Sequence, residues 1–172
     1  MQFDFYDIIT ILSAYLIGNI SPAIILGKIN GIDIKKEGSG NAGTTNALRV
    51  LGKKAAVITL VVDILKGVVA VKFGMMLGYE TGIWCALAVF CGHIWPCLYR
   101  FKGGKGVATS LGVVLMLDWK VGLIVAVVAI AVMAVTRYVS LGSILGGAMY
   151  IVIEIVKMIV TKNVDAIQLV CV

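Results

Sequence analysis

Glu37-Gly38-Ser39-Gly40-Asn41-Ala42-Gly43-Thr44-Thr45-Asn46-Ala47-Leu48-Arg49-Val50-Leu51-Gly52 is polar, glycine-rich and set between long apolar runs. Gly38, Gly40 and Gly43 permit turns that expose backbone amides. Ser39, Asn41, Thr44, Thr45 and Asn46 add side-chain donors. Ala47 to Val50 reads as the start of a helix, whose free N–H groups attract anions. Arg49, one turn in, brings a fixed positive charge to the same spot. These residue types predict a phosphate cradle at a membrane surface, and an ordinary glycine-rich interhelical loop is the plain alternative. The spacing also satisfies Gly-x-Gly-x-x-Gly. An apolar span precedes it where a dinucleotide fold needs a strand, so that fold is excluded.

A second loop, Tyr99-Arg100-Phe101-Lys102-Gly103-Gly104-Lys105-Gly106-Val107-Ala108-Thr109, combines three cations with three glycines. It lacks the Gly-x-x-x-x-Gly-Lys-Ser/Thr spacing of an ATP-binding loop. Arg100, Lys102 and Lys105 can be read as anchors to lipid head groups. That reading leaves unexplained why Gly103, Gly104 and Gly106 surround Lys105.

Two further signals lie within apolar stretches. Asp63 and Lys66 are one helical turn apart, where they can neutralise each other. Ionisable groups in a bilayer also mark functional sites, so a role beside the site is the competing reading. His93 is the chain's one histidine, either a structural residue at a helix end or a proton acceptor. Cys85, Cys91, Cys97 and Cys171 form no Cys-x-x-Cys pair and read as small apolar residues, so no metal site is expected.

The elements that must carry these loops are membrane helices. Hydrophobic residues make up 60% of the chain and charged residues only 14%, and several runs reach the ~20 residues a bilayer helix needs. The sequence predicts an all-α polytopic membrane protein without a water-soluble core. Ile8 to Ile29 is the first span, retained because it lacks a basic leader and a cleavage site. Pro22 is expected to kink it. Ala55 to Leu77, Ile83 to Leu98, Val121 to Val135 and Leu141 to Val160 follow, with a short apolar helix over Val107 to Leu117. Tyr79 to Gly82, Asp118 to Lys120 and Thr136 to Ser140 read as connections. Ala166 to Val172 is too short to cross a bilayer and reads as a seventh helix cut short. Lysine and arginine concentrate in the first, third and fifth connections, which places both glycine loops on the cytoplasmic face and the N-terminus outside.

At these loops the chain resembles the bacterial acyl-phosphate:glycerol-3-phosphate acyltransferases of the PlsY family. The resemblance rests on Gly38 to Asn46 with Arg49, on Asp63 with Lys66-Gly67, on Gly92-His93, on Phe101 to Thr109, and on Arg137-Tyr138-Val139-Ser140-Leu141. It covers nearly the whole chain, as one acyltransferase domain over residues 1–172. It departs mildly at Ala42-Gly43-Thr44-Thr45-Asn46, where the family commonly has Ile-Gly-Ala-Thr-Asn. Nothing after Val160 matches the family's third motif, of His-Arg-x-Asn-Ile type.

The resemblance implies a seven-helix enzyme of the bacterial inner membrane. It would move a fatty acyl group from an acyl phosphate to the sn-1 hydroxyl of glycerol 3-phosphate, giving lysophosphatidic acid and phosphate as the first step of phospholipid synthesis. Its partners would be fatty acyl phosphate, glycerol 3-phosphate and membrane lipids, with no cofactor, metal or nucleic acid. Phosphate is a good leaving group, so no covalent nucleophile is needed, and the sequence offers no Ser-His-Asp or Cys-His arrangement. The expected catalytic residues are Ser39, Arg49, Lys105 and His93. The expected substrate contacts are Gly38, Gly40, Asn41, Gly43, Thr44, Thr45, Asn46, Lys102, Gly103, Gly104, Gly106, Thr109, Arg137 and Ser140. The competing classes are a transporter for a phosphorylated solute and a lipid-binding scaffold subunit. Transporters usually show internal repeats or broken mid-membrane helices, and no repeat is evident here.

Overall fold

The computed structural model describes residues 3–161. Among the described residues there are eight α-helices and one 3-10 turn, with no strand. The helices are α1 (Phe5–Gly18), α2 (Pro22–Ile29), α3 (Thr44–Leu51), α4 (Lys53–Leu77), α5 (Tyr79–Ile94), α6 (Val107–Leu117), α7 (Trp119–Thr136) and α8 (Val139–Thr161), with the 3-10 turn at Cys97–Tyr99. The expected all-helical membrane architecture is present. Tyr79–Tyr99, Trp119–Thr136 and Val139–Val160 are each long and apolar enough to cross a bilayer. At 25 residues α4 is about 37 Å long, enough to cross, although it carries Asp63 and Lys66 in its interior. The seventh helix expected over 166–172 lies outside the described residues.

Several expected boundaries are corrected. The first span is two helices bent by 43° at a break over Asn19–Ser21. Pro22 occupies the first turn of α2, where its missing N–H costs nothing, so it opens a helix and does not kink one. The helix in the first loop starts at Thr44, not Ala47, with Gly43 in the cap position. Lys53 and Lys54 belong to α4, and Tyr79 to Gly82 form the first turn of α5. Asp118 is an N-cap that accepts from the backbone N–H groups of Lys120 and Val121, so Trp119 and Lys120 are already helical. Of Thr136 to Ser140, only Arg137 and Tyr138 lie outside helices.

The chain divides into two compact units, one through Val113 and one from Val114. In the first unit α1 packs on α5 and α4, α4 packs on α5, and α2 and α3 lie against α4. Glycines set the closest crossings. A methyl group built on Gly92 of α5 would run into the carbonyl oxygen of Tyr15 and would lie 3.0 Å from the Cα of Gly18, so α1 and α5 meet backbone to backbone. Gly67 of α4 meets Thr109 and Val113 of α6 in the same way. Such contacts replace the hydrophobic drive that lipid cannot supply. Below the first glycine loop, Ala23, Ile24, Ile34, Ala42 and Ala47 form a buried cluster.

In the second unit α7 packs on α8. Val114, Val121 and Tyr150 form its buried cluster. Lys157 bridges Asp118 at 2.9 Å and Glu154 at 3.0 Å, which neutralises a nearly buried glutamate. Burial pushes the Asp118 carboxyl up, but the hydrogen bonds from Lys157 and from the helix N-terminus bring it below the ordinary carboxylate range.

Candidate active site

The first glycine loop is built around one side chain. Asn46, fully buried in the first turn of α3, accepts from the Ser39 N–H at 2.9 Å. Its amide donates to the carbonyls of Ile34 at 3.2 Å and Glu37 at 3.1 Å. Three backbone groups of a loop without regular structure are thereby satisfied. Gly38 and Gly40 sit in the left-handed region at φ 58° and 68°. A methyl group on Gly38 would also collide with Asn46, so only glycine fits there. The Arg49 side chain passes close to Gly38. Both line an open cleft of about 560 Å³, together with Asp33 and Glu37, so the charge of that cleft is mixed. At the start of α3, Thr44 Oγ1 is buried with no hydrogen-bond partner among the described residues.

The second glycine loop folds back onto the end of α5. The N–H groups of Gly103 and Gly104 donate to the carbonyls of Ile94 at 2.9 Å and His93 at 3.1 Å. The turn leading into it holds Arg100 and Phe101 in the left-handed region at φ 56° and 59°, a strained conformation for a bulky residue. A methyl group on Gly104 would strike the His93 ring and lie 3.1 Å from the carbonyl oxygen of Ala42. The two glycine loops therefore meet at Ala42 and Gly104, with His93 beneath the seam. Lys35 closes the same seam, since its Nζ donates to the carbonyl of Gly103 at 2.8 Å. Burial, followed by repulsion from Lys102, holds the Lys35 amine below the ordinary lysine range.

Under the loops lies a buried polar cluster drawn from three helices. Lys66 Nζ is 2.8 Å from Asp63 Oδ1 and 2.7 Å from His93 Nδ1. It also donates to the carbonyls of Ile20 at 2.8 Å and Gly18 at 3.2 Å, which are freed by the break between α1 and α2. Asp63, Lys66 and His93 are all buried. Thr109 Oγ1, fully buried, lies 3.2 Å from His93 Nδ1. Asp63 and Lys66 do pair with each other, and the same pair reaches the imidazole.

The expected site residues thus divide. Ser39, Thr45, Arg49, Lys102 and Lys105 are exposed on the two loops, and Gly40, Asn41, Gly43 and Thr44 are half-buried beside them. Asn46 and Thr109 are buried, the first bound to the loop backbone and the second against His93. Gly103 and Gly104 have their N–H groups engaged by α5, and Gly106, at φ 80°, packs against the ring of Phe90. These three glycines act here by allowing close approach. Arg137, at φ 60° between α7 and α8, and Ser140 are exposed residues of the second unit. Sequence reasoning missed Lys35, one of two adjacent lysines read as plain charge. It also missed the link from Lys66 to His93. The available signal was two ionisable residues inside one span and a Gly-His pair ending the next.

The family profile described as glycerol-3-phosphate acyltransferase matches residues 8–172. A glycerol-3-phosphate acyltransferase of Thermoanaerobacter pseudethanolicus is 49% identical over 151 residues, covering 87% of this chain and 76% of the relative. One from Clostridioides difficile is 48% identical over 154 residues, covering 85% and 75%. The crystal structure of PlsY, an integral membrane glycerol 3-phosphate acyltransferase, in its glycerol 3-phosphate form, superposes with a TM-score of 0.87 at 32% identity. That match covers 96% of this chain and 82% of the other. The lysophosphatidic acid form of PlsY gives 0.84 at 33% identity.

Proposed function

Because the chain belongs to the glycerol-3-phosphate acyltransferase family, we propose that it transfers a fatty acyl group from an acyl phosphate to the sn-1 hydroxyl of glycerol 3-phosphate. The relatives with glycerol 3-phosphate and lysophosphatidic acid forms support the acceptor and product. The observation that carries the reading is the seam where Lys35 ties the first glycine loop to Gly103 of the second. Ser39, Thr44 and Arg49 belong to the first of these touching segments and Lys102 and Lys105 to the second, which supports a shared anion site. Two anionic substrates need such a place, because cations and fixed donors offset their mutual repulsion.

In this reaction the acceptor hydroxyl oxygen attacks the acyl carbonyl carbon. The bond from that carbon to the phosphate oxygen breaks, and inorganic phosphate leaves with the hydroxyl proton on one of its oxygens. The Ser39 to Asn46 loop holds the phosphoryl group of the donor, Arg49 and Lys105 offset its growing charge, and Lys102 guides glycerol 3-phosphate. No acyl-enzyme forms. In support, the Ser39 hydroxyl has no imidazole partner among the described residues, and Cys97 Sγ contacts Asn19. The acyl chain lies in the bilayer between helices. The family match runs through both units, which supports a single acyltransferase domain. The lysine and arginine distribution supports a cytoplasmic location for the loops in a bacterial inner membrane, with the N-terminus outside.

The test is phosphate release and lysophosphatidic acid formation from palmitoyl phosphate and glycerol 3-phosphate, with palmitoyl-CoA as comparison donor. Both products, formed only when donor and acceptor are present together, support the proposal. Equal or greater turnover of palmitoyl-CoA overturns the donor assignment.

A further inference from the structure

His93 is the one imidazole in the chain, and its two ring nitrogens face different worlds. Nδ1 points into the bundle, 2.7 Å from Lys66 Nζ. Nε2 faces Gly104 at the seam of the two loops and has no hydrogen-bond partner among the described residues. An ammonium has three protons and no lone pair, so it can only donate. Lys66 Nζ is hydrogen-bonded to His93 Nδ1 at 2.7 Å and to the carbonyls of Ile20 at 2.8 Å and Gly18 at 3.2 Å, one acceptor for each of its three protons, and Asp63 Oδ1 lies beside it as an ion pair at 2.8 Å. An ammonium at 2.7 Å can only donate to Nδ1, and the Thr109 hydroxyl at 3.2 Å can donate to the same nitrogen, an arrangement that suits an Nδ1 lone pair and a ring proton on Nε2. Asp63 Oδ1 also lies 3.4 Å from Nδ1, and the Lys66 ammonium, closer to each than they are to one another, offsets the carboxylate charge there.

We propose that Lys66, anchored by Asp63 and the carbonyls of Gly18 and Ile20 at the break between α1 and α2, is a positioning residue that fixes His93 as its Nε2–H tautomer and aims that N–H at the loop seam. There His93 donates a hydrogen bond to a substrate oxygen, on the phosphate or on the acyl carbonyl as it gains negative charge. This rests on the acyltransferase reading above and refines it: a ring nitrogen that already bears a proton cannot remove one from the acceptor hydroxyl, so His93 is a donor and not the base. The partner of one ring nitrogen decides the chemistry of the other, and the supporting residues of such a unit control rate by holding its geometry.

The tautomer is read directly. With one histidine per chain, protein labelled with ¹⁵N-histidine and purified in detergent through a histidine-free tag gives a single pair of ring-nitrogen signals. An unprotonated Nδ1 with a protonated Nε2 at neutral pH is expected. A protonated Nδ1 overturns the proposal. This spectrum needs no substrate, so its outcome is independent of the acyltransferase reading. The donor role is read from kinetics with palmitoyl phosphate and glycerol 3-phosphate. A glutamine amide can place an N–H near the position of Nε2. His93→Gln should therefore keep at least about tenfold more kcat than His93→Ala, a gap within what one oriented hydrogen bond contributes. Equal loss in the two variants overturns the donor role. Lys66→Met, assayed as monodisperse protein, should lower kcat by about tenfold or more with a smaller change in KM, and should shift the ring-nitrogen signals toward a tautomer mixture. An unchanged wild-type spectrum in Lys66→Met overturns the positioning role.

Discussion

Lys35 Nζ donates to the carbonyl oxygen of Gly103 across 2.8 Å, and with that bond the first glycine loop is held to the second. The lysine does so while half-buried and facing Lys102, so its charge is held against two opposing effects. A site assembled from two loops depends on such a tie more than on either loop alone.

The protonation of Lys35 has a defined direction. Burial and Lys102 lower its folded-state value beneath that of the unfolded chain. The folded protein therefore releases this proton first as pH rises, and between the two values folding is favoured by rising pH. The positive charge at the seam is correspondingly lost at a lower pH than for an ordinary lysine. Arginine stays charged throughout. The alkaline fall in kcat/KM for glycerol 3-phosphate should move to higher pH in Lys35→Arg. Coincident pH profiles would remove Lys35 from the active electrostatics.

Gly104→Ala places a methyl group against the His93 ring and the Ala42 carbonyl. The two loops must then separate, and displacement of reacting groups by about 1 Å can cost on the order of 10²-fold in rate. Turnover should fall by about that factor while the protein still purifies as a monodisperse species. Wild-type turnover in this variant would show that the seam is not where the chemistry occurs.

Asn46→Ala leaves the Ser39 N–H and the Ile34 and Glu37 carbonyls without their partner. At about 1 kcal/mol per net hydrogen bond, stability should drop by roughly 2–3 kcal/mol. Asn46→Asp keeps the acceptor for Ser39 but sets a buried carboxylate oxygen against the Ile34 and Glu37 carbonyls, so it should lose at least as much as alanine. Thermal unfolding in one fixed detergent ranks the three proteins. Wild-type stability in either variant would contradict the staple role.

In the second unit, Lys157→Met strands Asp118 and Glu154 without their shared cation. The lysine side chain is 42% exposed, so water screens the pair and the loss should be on the order of 1 kcal/mol. Glu154→Gln added to Lys157→Met should recover part of it. The folded-state value of Asp118 is depressed, so its contribution is present above the unfolded carboxylate range and is lost as pH falls through the folded value. Destabilisation by Lys157→Met should accordingly shrink in acid. A pH-independent difference would point to packing instead.

The bilayer helices and both glycine loops were legible because length, apolarity and glycine spacing are local properties. The pairing of Asp63 with Lys66 was legible for the same reason, since i,i+3 neighbours share a helix face. The tie from Lys35 to Gly103 and the contact of Lys66 with His93 were not. They join residues 68 and 27 positions apart, and nothing in local composition encodes which helices become neighbours. The break at Asn19–Ser21 lies in a polar interruption, Gly18-Asn19-Ile20-Ser21-Pro22, of an otherwise apolar run, and Pro22 was read as a kink because the helix start at its own position was not seen. The early start of α3 was missed because threonines and an asparagine are poor helix formers, here overridden by the buried bonds of Asn46.

The break in the first span also bears on how the molecule assembles. Lys66 belongs to α4, yet its two carbonyl acceptors come from 48 and 46 residues earlier. An ammonium entering hydrocarbon alone is costly. Asp63 travels with Lys66 on α4 and offsets its charge, while the carbonyls that satisfy its remaining protons exist only where the first span is broken. The bend therefore ties the cost of the buried cation in α4 to the shape of the helix pair before it, and straightening that pair would leave the ammonium with fewer partners.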